Sequence, residues 1–357
     1  MSDKRILFTG GGTAGHVIVN LAIIPVFQQE GWEIDYIGSK NGIEKELISQ
    51  LDGVTYHPIS TGKLRRYLSI ENMKDPFKVI KGTLQAFRIL GKRKPSVVFS
   101  KGGFVSVPVL VAAWLRRIPA VIHESDITPG LANKIAIPLA KKVLTTFPET
   151  MQYVPEEKSE WAGAVVRNQL FRGSKQKGLD ITKLKPNDKP VLLIMGGSGG
   201  AQRINQAVRE QLPNLLKEFQ IIHLCGKGNV DESLRVEGYA QFDYVNQELS
   251  DIFAATDFVL SRAGSNAIFE FLALKKPMLL IPLPLSSSRG DQILNAKSFK
   301  KQGYANMLEE EQLTGDRLLE ELKQLKQGKT EILNSMRNYE SYQAKDSVVK
   351  IIKEVGK

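Results

Sequence analysis

The stretch "ILFTGGGTAGH", residues 6–16, joins a short apolar run to a glycine-rich turn, and "VLLIMGGSGGAQ", residues 191–202, repeats that arrangement. Further apolar runs alternate with segments of helical periodicity. Continuous apolar strands separated by helices are typical of a parallel sheet covered on both faces. The sequence therefore predicts an α/β fold with two Rossmann-like, doubly wound domains that face each other across a cleft. The predicted strands are RILFTG (5–10), EIDYIGS (33–39), SVVFSKGG (96–103), AVIHES (120–125), VLLIMGG (191–197), QIIHLCG (220–226), FVLSRAG (258–264) and MLLIPL (278–283).

The length of 357 residues suits two domains of ordinary size. We place them at residues 1–162 and 163–340, followed by a C-terminal helix over 341–357 that packs back on the N-terminal domain. Segment 172–190 is polar and poor in apolar residues, so we expect a linker or a long surface loop. One face of the last helix carries apolar side chains, namely Val348, Val349, Ile351, Ile352 and Val355.

The composition limits the class of protein. No run of about 18 apolar residues occurs, and the N-terminus lacks the apolar stretch of a secretory signal, so we expect neither a membrane span nor secretion. The single cysteine, Cys225, is expected to be a buried free thiol. The net charge of +11 indicates an anionic partner such as a phosphorylated ligand, an acidic lipid surface or nucleic acid.

Two glycine loops follow strands in the N-terminal half. Gly10, Gly12 and Gly15 form the pattern G-x-G-x-x-G, which alone is weak evidence for a dinucleotide site. Glycines also let backbone N–H groups approach phosphate oxygens, and the following helix adds its positive end. His16 stands at the start of that helix, where it either acts on a bound ligand or serves as a capping or core residue. With a second loop at "KGGFVS", residues 101–106, the pair could hold a diphosphate.

A cluster of ionisable residues follows the strand that ends near residue 122. In "HESDITPGLANK", residues 123–134, the side chains of His123, Glu124 and Asp126 suit acid–base work or recognition of sugar hydroxyls. The alternative is a polar turn capped by Asp126 or Thr128. The spacing matches no zinc motif.

Two further motifs lie in the C-terminal half. "GGSGGAQRIN", residues 196–205, is a phosphate-type loop without the Lys-Ser/Thr pair of a P-loop, which argues against nucleotide triphosphate hydrolysis. In "SRAGSNAIFE", residues 261–270, Ser265 is expected to be a helix N-cap. Glu270 then lies about one turn inside the helix, and its two carboxylate oxygens could accept hydrogen bonds from both hydroxyls of a ribose. Later polar residues suited to sugar hydroxyls are Asp291, Gln292 and Asn295.

The motifs GGGTAGH, KGGFVS, HESDITPGLANK, GGSGGAQ, SRAGSNAIFE and DQILNA, in this order and spacing, resemble the MurG family of GT-B glycosyltransferases, closest to its Gram-positive branch. The resemblance covers nearly the whole chain. It implies inverting transfer of N-acetylglucosamine from UDP-N-acetylglucosamine to the 4-hydroxyl of lipid I, the undecaprenyl-diphospho-N-acetylmuramoyl-pentapeptide, to give lipid II with a β-1,4 linkage. The implied partners are these two substrates, anionic inner-leaflet lipids and other cell-wall synthesis proteins. No cofactor, metal or nucleic acid is implied.

The resemblance also implies roles for individual residues. It places the donor in the C-terminal domain, on Arg167, Ser198, Tyr244, Val245, Ser265, Asn266, Glu270, Asp291 and Gln292. It places the acceptor in the N-terminal domain, on Gly12, Thr13, Ala14, Gly15, Gly102, Gly103, Asp126 and Asn133. His16 and Glu124 are both candidates for the catalytic base that deprotonates the acceptor hydroxyl.

Two positions depart from the pattern of the family. Ala14 stands where glycine is usual, so the backbone there must avoid a positive φ angle or accept strain. Asp291 stands where glutamine is usual, and a carboxylate can still accept hydrogen bonds from sugar hydroxyls.

The segment from residue 63 to residue 94 is strongly basic, with ten Lys or Arg against Glu71 and Asp75. Its apolar residues include Tyr67, Leu68, Ile70, Met73, Phe77, Ile80, Leu84 and Phe87. Some must belong to the core. The others, with Trp114 and Leu115, are expected to dip into an acidic inner leaflet and make the protein peripheral at the cytoplasmic face of the cell membrane. The alternative is a solvated charged face.

Competing functions have less support. A nicotinamide-dependent oxidoreductase needs an acidic residue near the end of the second strand, and Asp35 lies in its middle. A nucleic-acid binder rests on net charge alone. Another GT-B enzyme, such as a diacylglycerol glycosyltransferase or a UDP-N-acetylglucosamine 2-epimerase, stays open.

Overall fold

The computed structural model describes residues 4–62, 70–197, 200–339 and 342–357, with the backbone alone for 70–74 and 342–343. The chain divides into two compact units. Unit 1 comprises Met1–Arg167 and Ser341–Lys357, and unit 2 comprises Asn168–Glu340.

Unit 1 contains a parallel sheet of seven strands with the order β3-β2-β1-β4-β5-β6-β7. The strands are β1 (Arg5–Thr9), β2 (Glu33–Ser39), β3 (Val54–Ile59), β4 (Val97–Ser100), β5 (Ala120–Glu124), β6 (Lys142–Thr145) and β7 (Ser159–Trp161). The helices are α1 (Gly15–Gln29), α2 (Ile43–Ile48), α3 (Ile70–Arg93), α4 (Ser106–Leu115), α5 (Leu131–Ala136) and, near the C-terminus, α14 (Tyr342–Val355).

Successive residues of β1 enter two different cores. Ile6 and Phe8 pack on one face of the sheet among residues of α1 and α14, whereas Leu7 packs on the other face among residues of α3 and α4. This division follows from the two-residue period of side chains along a strand. Because both faces are covered by helices, the strand is apolar throughout.

The last helix belongs to the core of unit 1. Val348, Val349, Ile351 and Ile352 are buried in the cluster that contains Ile6 and Phe8. The predicted apolar face of this helix is therefore confirmed, and the chain returns to unit 1 after completing unit 2.

Unit 2 repeats the architecture with a parallel six-stranded sheet of order β10-β9-β8-β11-β12-β13. Its strands are β8 (Val191–Met195), β9 (Gln220–Leu224), β10 (Tyr239–Phe242), β11 (Phe258–Ser261), β12 (Met278–Leu280) and β13 (Ala305–Met307). Its helices are α6 (Lys175–Thr182), α7 (Gln202–Glu210), α8 (Leu212–Glu218), α9 (Leu249–Ala255), α10 (Ser265–Ala273), α11 (Asp291–Lys301), α12 (Gly315–Gln327) and α13 (Lys329–Met336).

The expected linker at 172–190 is wrong over its first half, which forms α6 and packs on α9. Leu179 is buried, and Gly178 lies so close to α9 that a Cβ atom there would stand 2.2 Å from the carbonyl oxygen of Asp251. A helix that packs through one glycine and few apolar side chains has a polar sequence, which explains the error.

Packing of α14 on unit 1 predicts that Ile352→Ala lowers the free energy of unfolding by about 2–5 kcal/mol, because a fully buried side chain is truncated. Lys350→Ala on the exposed side of the same helix should change it by less than about 0.5 kcal/mol. Urea unfolding measures both. Equal effects of the two substitutions would contradict the placement of this helix.

Candidate active site

Both sheets reverse their strand order at corresponding points, between β1 and β4 in unit 1 and between β8 and β11 in unit 2. Ligands of open α/β sheets bind outside the carboxyl ends of strands at such switch points. The predicted glycine loops begin at these ends, because β1 ends at Thr9, β4 at Ser100 and β8 at Met195. Each unit therefore has one candidate binding region.

The opening loop of unit 1 leads directly into α1. Helix α1 begins at Gly15, so His16 is at its start, as predicted. Ala14 is the N-cap and has φ −57°, which avoids a positive φ angle and the strain considered for this departure from the family pattern. The Oγ1 atom of Thr13 lies 3.0 Å from Nδ1 of His16, which orients the imidazole ring.

The two glycine loops of unit 1 touch each other. Gly103 has φ +83°, and a Cβ atom there would stand 2.1 Å from the carbonyl oxygen of Gly11 and 3.1 Å from Nδ1 of His16. Gly102 packs in the same way against the side-chain amide of Asn133. The prediction that the second loop lies beside the first is confirmed, and His16 lies where they meet.

The buried carboxylate of Glu44, which the sequence did not point to, binds the backbone of the opening loop. Glu44 of α2 is fully buried, and its Oε2 atom accepts a hydrogen bond of 3.1 Å from the N–H of Gly12. Its Oε1 atom accepts hydrogen bonds from the N–H and the hydroxyl of Ser39, at 2.9 and 2.5 Å. The sequence did not reveal the burial of Glu44, because a helix of six residues is too short to show a periodic pattern. Its position shortly after β2 was the one available hint.

Glu124 holds the loop that follows β5. Its Oε1 atom accepts a hydrogen bond from the N–H of Asp126 at 3.0 Å, and its Oε2 atom accepts from the N–H of Gly130 and from Nδ2 of Asn133, both at 2.9 Å. His123 and Glu124 are the last residues of β5, so the expectation that they follow a strand ending near residue 122 is wrong. The carboxylate thus binds two other candidate residues of the 123–134 motif, Asp126 and Asn133.

Lys101 and His123 lie buried near this loop. The ammonium of Lys101 donates a hydrogen bond to Oγ of Ser125. Burial lowers the pKa of Lys101, while the carboxylates of Glu124 and Asp126 act to raise it. Neither ring nitrogen of His123 has a hydrogen-bond partner among the described residues. Burial, together with the charge of Lys101, holds the pKa of His123 well below its ordinary value, so this imidazole is neutral.

The glycine loop of unit 2 packs on the end of β9. Ser198 of that loop lies outside the described residues. A Cβ atom on Gly200 would stand 2.2 Å from the carbonyl oxygen of Cys225, and Nδ2 of Asn205 donates to the same oxygen at 2.9 Å. Asn205 Oδ1 lies 2.9 Å from Nε2 of His223, whose Nδ1 lies 2.8 Å from the Tyr239 hydroxyl. Burial lowers the pKa of His223 to about 3.

The predicted buried thiol is confirmed. Cys225 is a buried free cysteine, and burial raises its pKa to about 11.

Helix α10 begins at the second loop of unit 2. Its N-cap is Gly264, so the prediction of Ser265 as N-cap is wrong by one residue, and Ser265 is the first helical residue. The extended backbone that an N-cap needs occurs at the glycine, with φ −67° and ψ 128°. Glu270 is buried in this helix. Asn266 lies next to Ser265 in the first turn.

Helix α11 carries two further predicted donor residues, Asp291 and Gln292, and its polar side chains bond to neighbouring loops. Oε1 of Gln292 accepts a hydrogen bond from the N–H of Leu283 at 3.2 Å. Asn295 donates to the carbonyl oxygen of Ala263 at 3.2 Å. The carboxylate of Asp291 lies 3.3 Å from Nε of Arg289.

Three predicted donor residues lie elsewhere. Tyr244 and Val245 follow β10, the first exposed and the second buried. Arg167 is the last residue of the first segment of unit 1.

Asp35 is not placed to bind a ribose. It is fully buried in the middle of β2, 2.6 Å from Nε2 of His57 and 2.9 Å from Nε of Arg93. Burial raises its pKa, but the hydrogen bonds from His57 and Arg93 outweigh burial and lower it overall. The carboxylate is committed to a structural ion network, which removes the residue that a nicotinamide site would require. Within the part of the chain that the structure describes, no group of three or more His, Cys, Asp or Glu side chains could hold a metal ion.

The sequence matches two domains of one enzyme family. Residues 6–145 match the glycosyltransferase family 28 N-terminal domain, and residues 191–355 match the C-terminal domain of that family. The chain is 65% identical over 356 residues to the UDP-N-acetylglucosamine--N-acetylmuramyl-(pentapeptide) pyrophosphoryl-undecaprenol N-acetylglucosamine transferase of Oceanobacillus iheyensis, covering 100% of this chain and 99% of the relative. The protein of the same name from Staphylococcus aureus is 54% identical, with 98% and 99% covered.

Solved structures agree with this similarity. The crystal structure of Acinetobacter baumannii MurG is 25% identical, with a TM-score of 0.75 over 98% of this chain and 99% of that one. The UDP-GlcNAc 2-epimerase of Neisseria meningitidis has a TM-score of 0.68 over 98% and 100%, but at 12% identity this likeness concerns the fold alone.

The contact between the glycine loops predicts that Gly103→Ala lowers the free energy of unfolding more than Gly31→Ala does. Both positions have a positive φ angle, but a Cβ atom on Gly31 would meet nothing within 4 Å. Gly31→Ala should therefore lower this free energy by only about 1–2 kcal/mol, the strain of an alanine with a positive φ angle. Gly103→Ala should lower it by at least about twice as much, because the backbone at Gly11 must also move. Gly103→Ala should also shift the NMR signals of the His16 imidazole. Equal losses with unchanged His16 signals would contradict the contact.

Proposed function

The chain belongs to glycosyltransferase family 28, and we propose that it transfers N-acetylglucosamine from UDP-N-acetylglucosamine to the 4-hydroxyl of lipid I, giving lipid II in peptidoglycan synthesis. The observation that carries this proposal is the 65% identity over the full chain to a transferase named for that reaction. The enzyme is thus a hexosyltransferase, and the two parallel-sheet units are the GT-B architecture of its structural relatives.

The reaction is a single displacement. The acceptor O4 atom attacks C1 of N-acetylglucosamine, the bond from C1 to the diphosphate breaks, and UDP leaves with the electron pair while a base takes the hydroxyl proton. The base needs an accessible lone pair, and the leaving diphosphate needs N–H donors or cations around it.

We assign the base role to His16 and a loop-holding role to Glu124. The His16 tautomer with its proton on Nδ1 donates to Oγ1 of Thr13 and has on Nε2 the lone pair that a base needs. Both oxygens of Glu124 instead accept hydrogen bonds from Asp126, Gly130 and Asn133. Proton abstraction by Glu124 would require these bonds to be given up.

Unit 1 is the proposed acceptor unit. Its two touching glycine loops lead into the N-termini of α1 and α4, whose positive ends favour a diphosphate. The implied contacts are Gly12, Thr13, Ala14, Gly15, Gly102, Gly103, Asp126 and Asn133. The N–H of Gly12 already donates to Glu44, so we infer that Gly12 shapes the loop while its neighbours bind the ligand.

Unit 2 is the proposed donor unit. Buried Glu270 would accept both ribose hydroxyls, and the N-terminus of α10, with Ser265 and Asn266, would face the diphosphate. Ser198 and Arg167 are the further diphosphate contacts that the resemblance implies. Val245 offers a buried apolar contact for the uracil beside the exposed Tyr244. Gln292 and Asp291 would recognise the sugar hydroxyls from the start of α11.

We also propose that unit 1 binds an anionic membrane surface through an exposed apolar patch. The patch consists of Phe77, Ile80, Leu84, Trp114 and Leu115, each more than half exposed. The first three share one face of α3 at helical spacing, and the last two lie at the end of α4, which packs on α3. Exposed apolar side chains bordered by basic ones fit the interfacial region of an acidic leaflet.

Only some of the apolar residues of segment 63–94 belong to this patch. Phe87 packs against the core of unit 1, as expected for some of the apolar residues of this segment. Tyr67 and Leu68 lie outside the described residues, as do the basic positions 63, 65 and 66, and the side chains of Ile70 and Met73 are not described. No described helix combines the length and the apolarity that crossing a bilayer requires.

Activity is tested by mixing the purified protein with radiolabelled UDP-N-acetylglucosamine and a short-chain lipid I analogue. We expect label in the lipid product, and absence of label there would contradict the proposed function.

His16→Ala should lower kcat about 100-fold or more through loss of the base. Glu124→Gln keeps the length of the side chain and should mainly raise the acceptor KM. If Glu124→Gln instead lowers kcat as much as His16→Ala does, Glu124 takes the base role.

Vesicle binding tests the apolar patch. The double variant Phe77→Ser and Leu84→Ser should bind vesicles with 30% anionic phosphatidylglycerol at least about tenfold more weakly, because it loses two exposed apolar side chains that would enter the bilayer. The control replaces Val236 and Leu285, two exposed apolar residues of unit 2, by serine and should leave binding unchanged. Equal binding by both double variants would remove the patch from this role.

A further inference from the structure

Lys101 is a buried lysine in the acceptor region, and neither the reaction nor the implied site residues account for it. It is the first residue after β4 and is only 2% exposed. Among the described residues, the hydroxyl of Ser125 is the acceptor of its ammonium hydrogen bond. An ammonium group has three N–H donors, and a buried charge with one neutral partner is costly unless other charges offset it. An apolar residue would fill this place at lower cost in folding free energy.

The surroundings of Lys101 are rich in carboxylates. Glu124 and Asp126 both attract its charge, and Glu44 lies beneath the adjacent opening loop. The backbone of Lys101 donates to the carbonyl of Thr9, and its Cβ atom packs against Gly10, so it lies at the switch point itself. His123 beside it is neutral and contributes no positive charge. A diphosphate bound to the glycine loops would therefore meet several negative charges of the protein.

We propose that Lys101 supplies the fixed positive charge that allows unit 1 to bind a diphosphate next to its own carboxylates. This inference rests on the proposed acceptor role of unit 1. The charge acts through the poorly screened interior and needs no direct contact with the ligand, since Coulomb energies fall off slowly where the dielectric constant is low. Lys101 is in this sense a positioning and charge-balancing residue, while the loop N–H groups make the contacts.

Two unpaired polar groups beside Lys101 support a ligand at this place. Both ring nitrogens of His123 and the Oδ1 atom of Asn133 are buried without a hydrogen-bond partner in the described chain. Buried polar groups are normally hydrogen-bonded, so orphans of this kind mark a site where a ligand or water completes the network. Gly102, which packs on the amide of Asn133, connects these groups to the second glycine loop.

The test compares two acceptor analogues by calorimetry without donor. One is a short-chain lipid I analogue with its diphosphate, and the other is the same muramyl-pentapeptide as a methyl glycoside, which lacks the diphosphate. Lys101→Met keeps the approximate length of the side chain and removes the charge. We expect the preference of the wild-type protein for the diphosphate analogue to fall by about tenfold or more in Lys101→Met, with affinity for the methyl glycoside retained.

Matched controls separate charge from packing and from hydrogen bonding. Lys134→Met removes the same charge from an exposed position of α5 and should change the preference by less than about twofold, because solvent and salt screen it. Ser125→Ala keeps the charge and removes its hydrogen bond, so it should lose much less of the preference than Lys101→Met. Lys101→Gln provides a second neutral variant if Lys101→Met folds poorly, as judged by urea unfolding.

Three outcomes overturn the inference: equal weakening of both analogues, an unchanged preference, or an equal loss in Ser125→Ala. Failure of the proposed function looks different, because the wild-type protein would then transfer no label to lipid and bind neither analogue. A wild-type protein that binds and transfers, beside a Lys101→Met variant with an intact preference, refutes only the role of Lys101.

Discussion

The approach of Gly103 to the carbonyl of Gly11 is the contact on which the arrangement of unit 1 depends. A parallel sheet with strand order reversing between β1 and β4 directs the two following loops to one point. Any side chain at residue 103 would separate them, since its Cβ atom would stand 2.1 Å from that carbonyl oxygen. Because the loops meet, the ring of His16 at the start of α1 lies beside Gly103, three residues before the start of α4.

The dinucleotide pattern in the opening loop therefore has a physical origin that is not specific to dinucleotides. A backbone that meets a diphosphate at a switch point needs glycines, whether the diphosphate belongs to a cofactor or to a lipid-linked sugar. The difference lies in what surrounds the loop. A nicotinamide site needs an acidic residue at the end of β2 for the ribose, whereas Asp35 lies in the middle of that strand and binds His57 and Arg93. Glu44 reaches the loop from α2 and binds its backbone.

Most of the fold could be predicted from the sequence, because the central strands are apolar runs that end in glycine loops. All eight predicted strands are present. Five strands of the described chain were not predicted. Strands β3, β7, β10 and β13 lie at sheet edges, where fewer side chains are buried and the apolar signal is weak. Strand β6 lies inside the sheet next to β7, but its four residues KVLT are too short for a clear apolar run. Helix α6 was missed because it packs through Gly178.

The same reasoning explains which parts of the candidate site could be predicted. Positions at strand ends and helix starts follow from local pattern, as for His16. Glu44 and Lys101 could not be found in this way, because the burial of a charged side chain depends on neighbours that are distant in sequence. Glu124 was found as a candidate, but its three hydrogen bonds to its own loop became evident only in the structure.

The two units support similar loops with different chemistry. In unit 1 the supporting groups are charged: Glu44 and Glu124 bind loop N–H groups, and Lys101 bonds to the hydroxyl of Ser125. In unit 2 the support is a neutral series from Tyr239 through His223 to Asn205 and the carbonyl of Cys225. Since burial lowers the pKa of His223 to about 3, its imidazole is neutral in the folded protein at neutral pH. The unfolded chain takes up a proton at this histidine below about pH 6.5, so the free energy of unfolding that His223 contributes is present above that pH and declines between there and about pH 3. The groups that hold the loop of unit 2 thus carry no charge at neutral pH, whereas the buried carboxylates of unit 1 lie in the same region as a buried lysine.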